Sequence, residues 1–408
     1  RYLLSNRLMV WFGLISYPLY IWHWPFLSFS WIVGGELPQL KVRIGCVVLA
    51  VIMSAVTYYF IEPRLRWGCY GGYKAAGLLS VMVIIGVAGY SIERRDGYVA
   101  RVHMSLDENE MSQRIDHLLK TGSERFRLNF PELNNEQESW AWRILEKEEG
   151  RNNIALFGDS HANALLPGLL LHERPSDGII SFVSGCGIPF MGVQAGSDAE
   201  DRFPWHKVNY KPIMKGFEYV LSHPEIKRVI LTNFPGCFQF WGIRSLDGPS
   251  VSSSEQILAE GISRTFKALS EGGKEVVYVF DDPTFSKDGM DMSKVTACAS
   301  KLESLHSPQL PLRSTLYLLM DKSSLAELCT MPESDSGTAN GRALLKTLVE
   351  KEANNYQNIH TIDLVDLFCD GKTCSMTKND KMLYGDSQHI NIAGAALAAP
   401  MVLSAFGE

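Results

Sequence analysis

Three long apolar runs fill most of the first 92 residues and limit what this chain can fold into. Residues 8–33 contain no Asp, Glu, Lys or Arg, and a single His, His23. Residues 44–61 and 75–92 are also uncharged. Each run approaches the roughly 18–20 residues a helix needs to cross a bilayer. The rival reading, core helices of a soluble protein, fits three such runs in close succession less well. Flanking charges set the orientation only weakly. Arg1 and Arg7 precede the first run, Lys41 and Arg43 the second, Arg64, Arg66 and Lys74 the third, and Arg94 and Arg95 follow it. Residue 1 is Arg, and no signal peptide with a small-residue cleavage site is evident, so we expect a piece of a longer chain.

The remainder reads as a globular protein. Net charge is −6 over 408 residues, with no basic stripe, which argues against a nucleic-acid partner. Cys46 and Cys69 lie in or beside the apolar part. Cys186, Cys237, Cys298, Cys329, Cys369 and Cys374 lie beyond it. An even number outside the apolar part predicts disulfides and an oxidising compartment. Zinc is the rival, but no CxxC or paired Cys/His spacing supports it. We expect Cys369–Cys374 across the short CDGKTC loop and Cys298–Cys329, which leaves Cys186 with Cys237. The globular part then lies outside the cytoplasm and the 62–74 loop inside it.

Residues 93–150 are polar, with helical patches at 111–120 and 138–150, and read as a linker and lead-in. Beyond them, β-rich runs at 153–159, 178–184, 227–234, 274–282 and 358–368 alternate with helical stretches such as 255–273 and 341–355. That alternation predicts a three-layer α/β fold with a parallel sheet. The expected domains are residues 1–67, an additional span at 68–97, a lead-in at 98–150 and the α/β domain at 151–408.

In such a sheet, ligands bind at the carboxyl ends of the strands. Gly158-Asp159-Ser160-His161 follows the first strand of the alternation and opens a helical run. A serine there is exposed, and its backbone N–H near a helix start can help hold an oxyanion. Its hydroxyl still needs a base. Asp386-Ser387-Gln388-His389 precedes the last helical run, and a carboxylate three residues from a histidine can orient the ring. Each motif alone is weak evidence, with a turn as the bland alternative. Together in one α/β domain they name Ser160 as nucleophile, His389 as base and Asp386 as its partner.

These two motifs resemble the first and last sequence blocks of the SGNH hydrolase family, over roughly residues 150–408. The stretch FGLISYPLYIWHWPF (12–26), with FIEPRLRW (60–67), resembles the final spans of the membrane acyltransferase-3 family. That combination resembles bacterial O-acetyltransferases that modify surface polysaccharides such as lipopolysaccharide O-antigen. The resemblance implies a multi-pass protein of the inner membrane with its α/β domain in the periplasm. It also implies a polysaccharide acceptor, an acyltransferase membrane domain in cis, and acetyl-coenzyme A as ultimate donor through earlier spans absent here. The α/β domain itself needs no cofactor or metal. The family's oxyanion hole uses the nucleophile's own N–H, a glycine N–H and an Asn side chain. Ser160 matches the first. SGCGIP (184–189) offers Gly185 or Gly187. Asn233 in ILTNFPG stands at about the right place without the usual preceding Gly, and a turn-capping Asn is its alternative.

Other residues are less telling. His23 is an intramembrane candidate or a helix-end anchor. Arg64 and Arg66 suit lipid headgroups better than a coenzyme. Asp281 and Asp282 read as a strand-end turn, and His161 as shaping the site. FQFWG (238–242) offers sugar stacking or ordinary packing. The rival functions are a periplasmic carbohydrate acetylesterase and a non-catalytic glycan-binding module.

Overall fold

A computed structural model describes residues 6–34, 40–67, 71–94, 106–131, 143–145, 151–172, 177–196, 210–237, 242–246, 253–286, 292–306, 325–335 and 339–407. The chain divides into two units, residues 1–105 with 296–328, and residues 106–295 with 329–408.

In the first unit the apolar runs are helical: Arg7–Gly34, Leu40–Val56 continuing to Arg66, and Gly71–Glu93. Among the described residues, Leu40–Arg66 and Gly71–Ser91 are long and apolar enough to cross a membrane. Side chains tie the first two helices together. The Trp11 indole donates to the Tyr59 hydroxyl at 3.1 Å, and the Trp22 indole to Thr57 Oγ1 at 3.0 Å. Near Pro63 the second helix widens into a π-helical turn, Thr57–Ile61. Proline brings no N–H to the helical ladder, and such a break is commonly absorbed by a local change of helix type. His23 Nδ1–H donates to its own helix, to the Leu19 carbonyl at 3.0 Å.

The second unit is the expected α/β domain. Its main sheet has strands β1 (Arg143–Leu145), β2 (Arg151–Gly158), β3 (Asp177–Val183), β4 (Arg228–Thr232), β5 (Glu275–Phe280) and β6 (Ile359–Asp363). Their order is β1-β3-β2-β4-β5-β6, and all neighbours but β1 are parallel. Phe157 of β2 pairs with Phe182 of β3 on one side and Leu231 of β4 on the other. Strands β2 to β5 are mostly apolar without alternation and buried over most of their length, as a sheet covered on both faces requires, while the edge strand β6 is only partly buried. Helices Ser160–His172, Lys211–Ser222, Ser254–Glu271 and Ala339–Ala353 alternate with them, and Ile392–Ser404 closes the chain.

One expectation fails. Residues 138–150 read as helical, but Arg143–Leu145 is an edge strand, antiparallel to β3. Ile144 pairs with Ile180 and is buried there. Covering the open edge of β3 with backbone hydrogen bonds and one buried isoleucine outweighs a weak local helical preference.

Helix Ser160–His172 packs closely on helix Ile392–Ser404. At Gly168 a Cβ would lie 2.0 Å from the Ala395 carbonyl oxygen. Overpacking of this kind typically costs about 1–3 kcal/mol. Gly168→Ala is therefore expected to lower the thermal midpoint of the chain, and an unchanged midpoint would show that the two helices are not held at this distance.

Candidate active site

Four neighbouring strands end on the same side of the sheet, and each delivers a part of the site. After β2 the chain must turn at once into a helix. Gly158 makes that turn with φ +154°, and a Cβ there would sit 1.9 Å from the Thr232 carbonyl oxygen. Only glycine fits, which leaves Ser160 at the helix start, exposed above the sheet edge. Asp159 points the other way and is buried. Its carboxylate accepts the His161 N–H at 3.0 Å and the Phe234 N–H at 2.7 Å, so it latches the β4 loop to the Ser160 turn. Burial pushes the Asp159 carboxyl up to about 6.

The partner motif is a tight loop before the last helix. Asn391 caps that helix, its Oδ1 accepting from the Ala393 and Gly394 N–H groups at 2.9 and 3.0 Å, while its Nδ2 donates to the Met382 carbonyl. Within the loop, Asp386 Oδ1 accepts the Gln388 and His389 N–H groups at 2.8 and 2.7 Å. Its Oδ2 lies 2.7 Å from His389 Nδ1, and His389 Nε2 lies 2.8 Å from Ser160 Oγ. A carboxylate can only accept, so Nδ1 carries the proton and Nε2 presents its lone pair to the serine hydroxyl. The three residues named from sequence thus form one hydrogen-bonded row.

The electrostatics fit this arrangement. Half-burial alone would raise the Asp386 carboxyl, but the His389 hydrogen bond and the two backbone donors overcome it and hold it at about 2. For His389, burial lowers the imidazole, and the hydrogen bond and charge of Asp386 outweigh it, so the ring ends above its ordinary value.

The oxyanion candidates separate. Gly187 is buried and its N–H donates to the Ser184 carbonyl at 2.9 Å. Gly185 is exposed on the same loop after β3. Asn233 follows β4 and is buried. Its Oδ1 accepts from the Tyr278 hydroxyl at 2.8 Å, and its Nδ2 is a buried donor without an acceptor. A capping Asn accepts from a backbone N–H; this one is turned so that its oxygen faces Tyr278 and its amine is unspent. Disulfide Cys186–Cys237 ties the β3 loop to the β4 loop. Cys369–Cys374 closes the short loop, Cys298 and Cys329 are each disulfide-bonded, and Cys46 is free.

Two features escaped the sequence reading. One is the Asp159 latch. The other is Asp281, which does end a strand but also lies 2.7 Å from His161 Nδ1. The signal was present only as a His after Ser160, read as shaping the site, and an Asp pair 120 positions later. Residues 238–241 of the FQFWG stretch and Cys69 lie outside the described residues.

A family model described as an SGNH domain fused to AT3 domains matches residues 131–404. O-acetyltransferase OatA of Staphylococcus aureus strain NCTC 8325 / PS 47 is 36% identical over 78 residues, 19% of this chain and 12% of the relative. OatA of strains COL and MRSA252 gives the same match. The match therefore spans 12% of the length of these curated relatives.

The Cys186–Cys237 bridge closes a separation of 51 residues. Loop-closure entropy for such a span is worth about 4 kcal/mol. Replacing both cysteines by serine should lower the denaturation midpoint accordingly and slow labelling of Ser160 by an organophosphonate. Unchanged stability and labelling would mean that the two loops are held without the bridge.

Proposed function

The chain belongs to the family of SGNH domains fused to AT3 domains, and from that premise we propose that it is a membrane-bound O-acyltransferase. It moves an acyl group, an acetyl group in our reading, onto a hydroxyl of a cell-surface polysaccharide such as lipopolysaccharide O-antigen. The observation that carries the proposal is the row Ser160–His389–Asp386 at the carboxyl ends of the strands. The apolar helices and the disulfides support a place in the bacterial inner membrane with the α/β domain in the periplasm.

The mechanism runs in two halves. Ser160 Oγ attacks the acyl carbonyl as its proton passes to His389 Nε2, and Asp386 stabilises the imidazolium. The tetrahedral intermediate collapses, and the leaving group departs with the proton from His389. The sugar hydroxyl then gives its proton to His389 and attacks the Ser160 ester, and as that intermediate collapses the serine oxygen leaves and takes the proton back from His389. Each oxyanion faces the Ser160 N–H, the Asn233 amide and a glycine of the β3 loop, Gly185 or Gly187. The unspent Nδ2 of Asn233 supports its part, because a buried amide donor without an acceptor is costly to keep. Ordinarily, removing one such donor costs about 100–1000-fold in rate. The acyl donor reaches Ser160 through an AT3 membrane domain, with acetyl-coenzyme A as ultimate source.

The pH dependence follows in sign. His389 must be neutral to act, and its pKa lies above the ordinary 6.5. Activity should rise with pH through a midpoint above 6.5. Asp386→Asn removes the charge that raises it and no longer fixes the tautomer, so the midpoint falls and the rate drops by roughly 10⁴-fold. A variant with an unmoved profile would contradict Asp386 as the partner.

The function is tested by giving the full chain an activated aryl acetate, with and without an O-antigen oligosaccharide. Acetylated sugar that disappears in Ser160→Ala is the expected result. Ser160-dependent acetate release unaffected by sugar would instead identify an acetylesterase, and equal behaviour of the two proteins would leave a binding module.

A further inference from the structure

The row does not use every titratable group buried around it. His161 follows the nucleophile, and its side chain and that of Asp281 are each 2% exposed. Its Nδ1 lies 2.7 Å from Asp281 Oδ1. One face of the ring lies flat on Phe234, with centroids 4.6 Å apart and planes 3° from parallel. The His389 ring is also 4.6 Å away, tilted by 45°. His161 Nε2 is buried with no hydrogen-bond partner. Packing alone does not call for this residue. A phenyl group fills a similar volume without leaving a buried ring nitrogen unsatisfied.

Resting on the catalytic reading above, we propose that His161 and Asp281 form a second imidazole–carboxylate pair that positions His389 and stays uncharged while His389 takes the proton. The geometry gives the pair two holds on the catalytic loop. The His161 ring backs the His389 ring directly. On the Asp281 side, the Phe285 N–H donates to the Ser387 carbonyl at 2.7 Å, tying the loop after β5 to the loop that carries His389.

The charges agree. His161 faces Asp159 from the end of β2, Asp281 and Asp282 from the end of β5, and His389 and Asp386 from the last loop. Burial holds the His161 imidazole below its ordinary value, and burial pushes Asp281 up to about 8. The pair therefore shares one proton and is neutral near pH 7. Around His389 stand Asp386, Asp282 and Asp159, each of which as a carboxylate favours its protonated form. Two imidazolium rings this close would repel, so a neutral His161 leaves the proton to His389. Arg342 also acts on Asp281 and, like the acids around His389, is a background charge the variants below leave in place.

His161 acts through His389, so it is a positioning residue. The test uses the full chain in detergent and three variants. His161→Phe keeps the ring and loses its polarity. Asp281→Ala removes the anchor. Asp281→Asn keeps a hydrogen bond to Nδ1. His161→Phe and Asp281→Ala should slow organophosphonate labelling of Ser160 at least tenfold, and Asp281→Asn should restore it to within about threefold. The second readout needs no reaction at Ser160. In a Ser160→Ala background, the His389 ring is titrated by nitrogen NMR, its signal assigned with His389→Gln. A phenyl neighbour solvates the charged ring less well, so His161→Phe should lower the His389 midpoint. An unlabelled wild type with a shifted midpoint would sink the catalytic reading and keep the positioning. Wild-type labelling rates and an unmoved midpoint in His161→Phe, or equal losses in Asp281→Ala and Asp281→Asn, would overturn the pair.

Discussion

One hydrogen bond, from His389 Nδ1 to Asp386 Oδ2, decides what the rest of the site can do. It fixes the proton on Nδ1 and turns the lone pair of Nε2 toward Ser160. The surrounding structure serves that orientation. Asp386 is itself held by two backbone N–H groups, and the loop ends in a capped helix. The helix packs on the one that begins at Ser160, with Gly168 against Ala395. Ser160 and His389, 229 residues apart in sequence, are thus joined by two helices in close contact rather than by loops alone.

The parallel sheet supplies the rest. Because parallel strands all end on one side, the segments after β2, β3, β4 and β5 converge without any of them having to be long. Asp159 and the Cys186–Cys237 bridge then tie three of these segments to one another. The cost is a set of buried acids, Asp159, Asp281 and Asp282, whose carboxyls burial drives upward. Buried acids with displaced pKa values beside the Ser160–His389–Asp386 row are in keeping with an acid–base site.

Much of this was legible in the sequence. The strands β2 to β5 read correctly because buried parallel strands are nearly unbroken apolar runs, whereas the 358–368 run is a strand only over Ile359–Asp363 and turns helical at Val365–Phe368. That Ser160, Asp386 and His389 come together could be read because each motif is local, a turn written in four adjacent residues. The failures are of another kind. Arg143–Leu145 depends on an open sheet edge far along the chain, and a local pattern cannot see that edge. Asn233 was ambiguous until Tyr278 fixed which end of its amide is free. Asp281 looked like a turn because its partner His161 lies across the sheet's end, on the segment after another strand. What a residue bonds to at long range is a property of the fold, and the fold must be known before it can be read.

The central claim is that Ser160 carries the acyl group between donor and sugar. The direct measurement is to mix the full chain with an activated acetate donor in the absence of sugar, quench in acid, and map the digested peptides by mass. The account predicts one acetyl group on the peptide containing Ser160, lost when O-antigen oligosaccharide is added before the quench. Acetyl groups found elsewhere, or none on Ser160 while sugar is still acetylated, would contradict it.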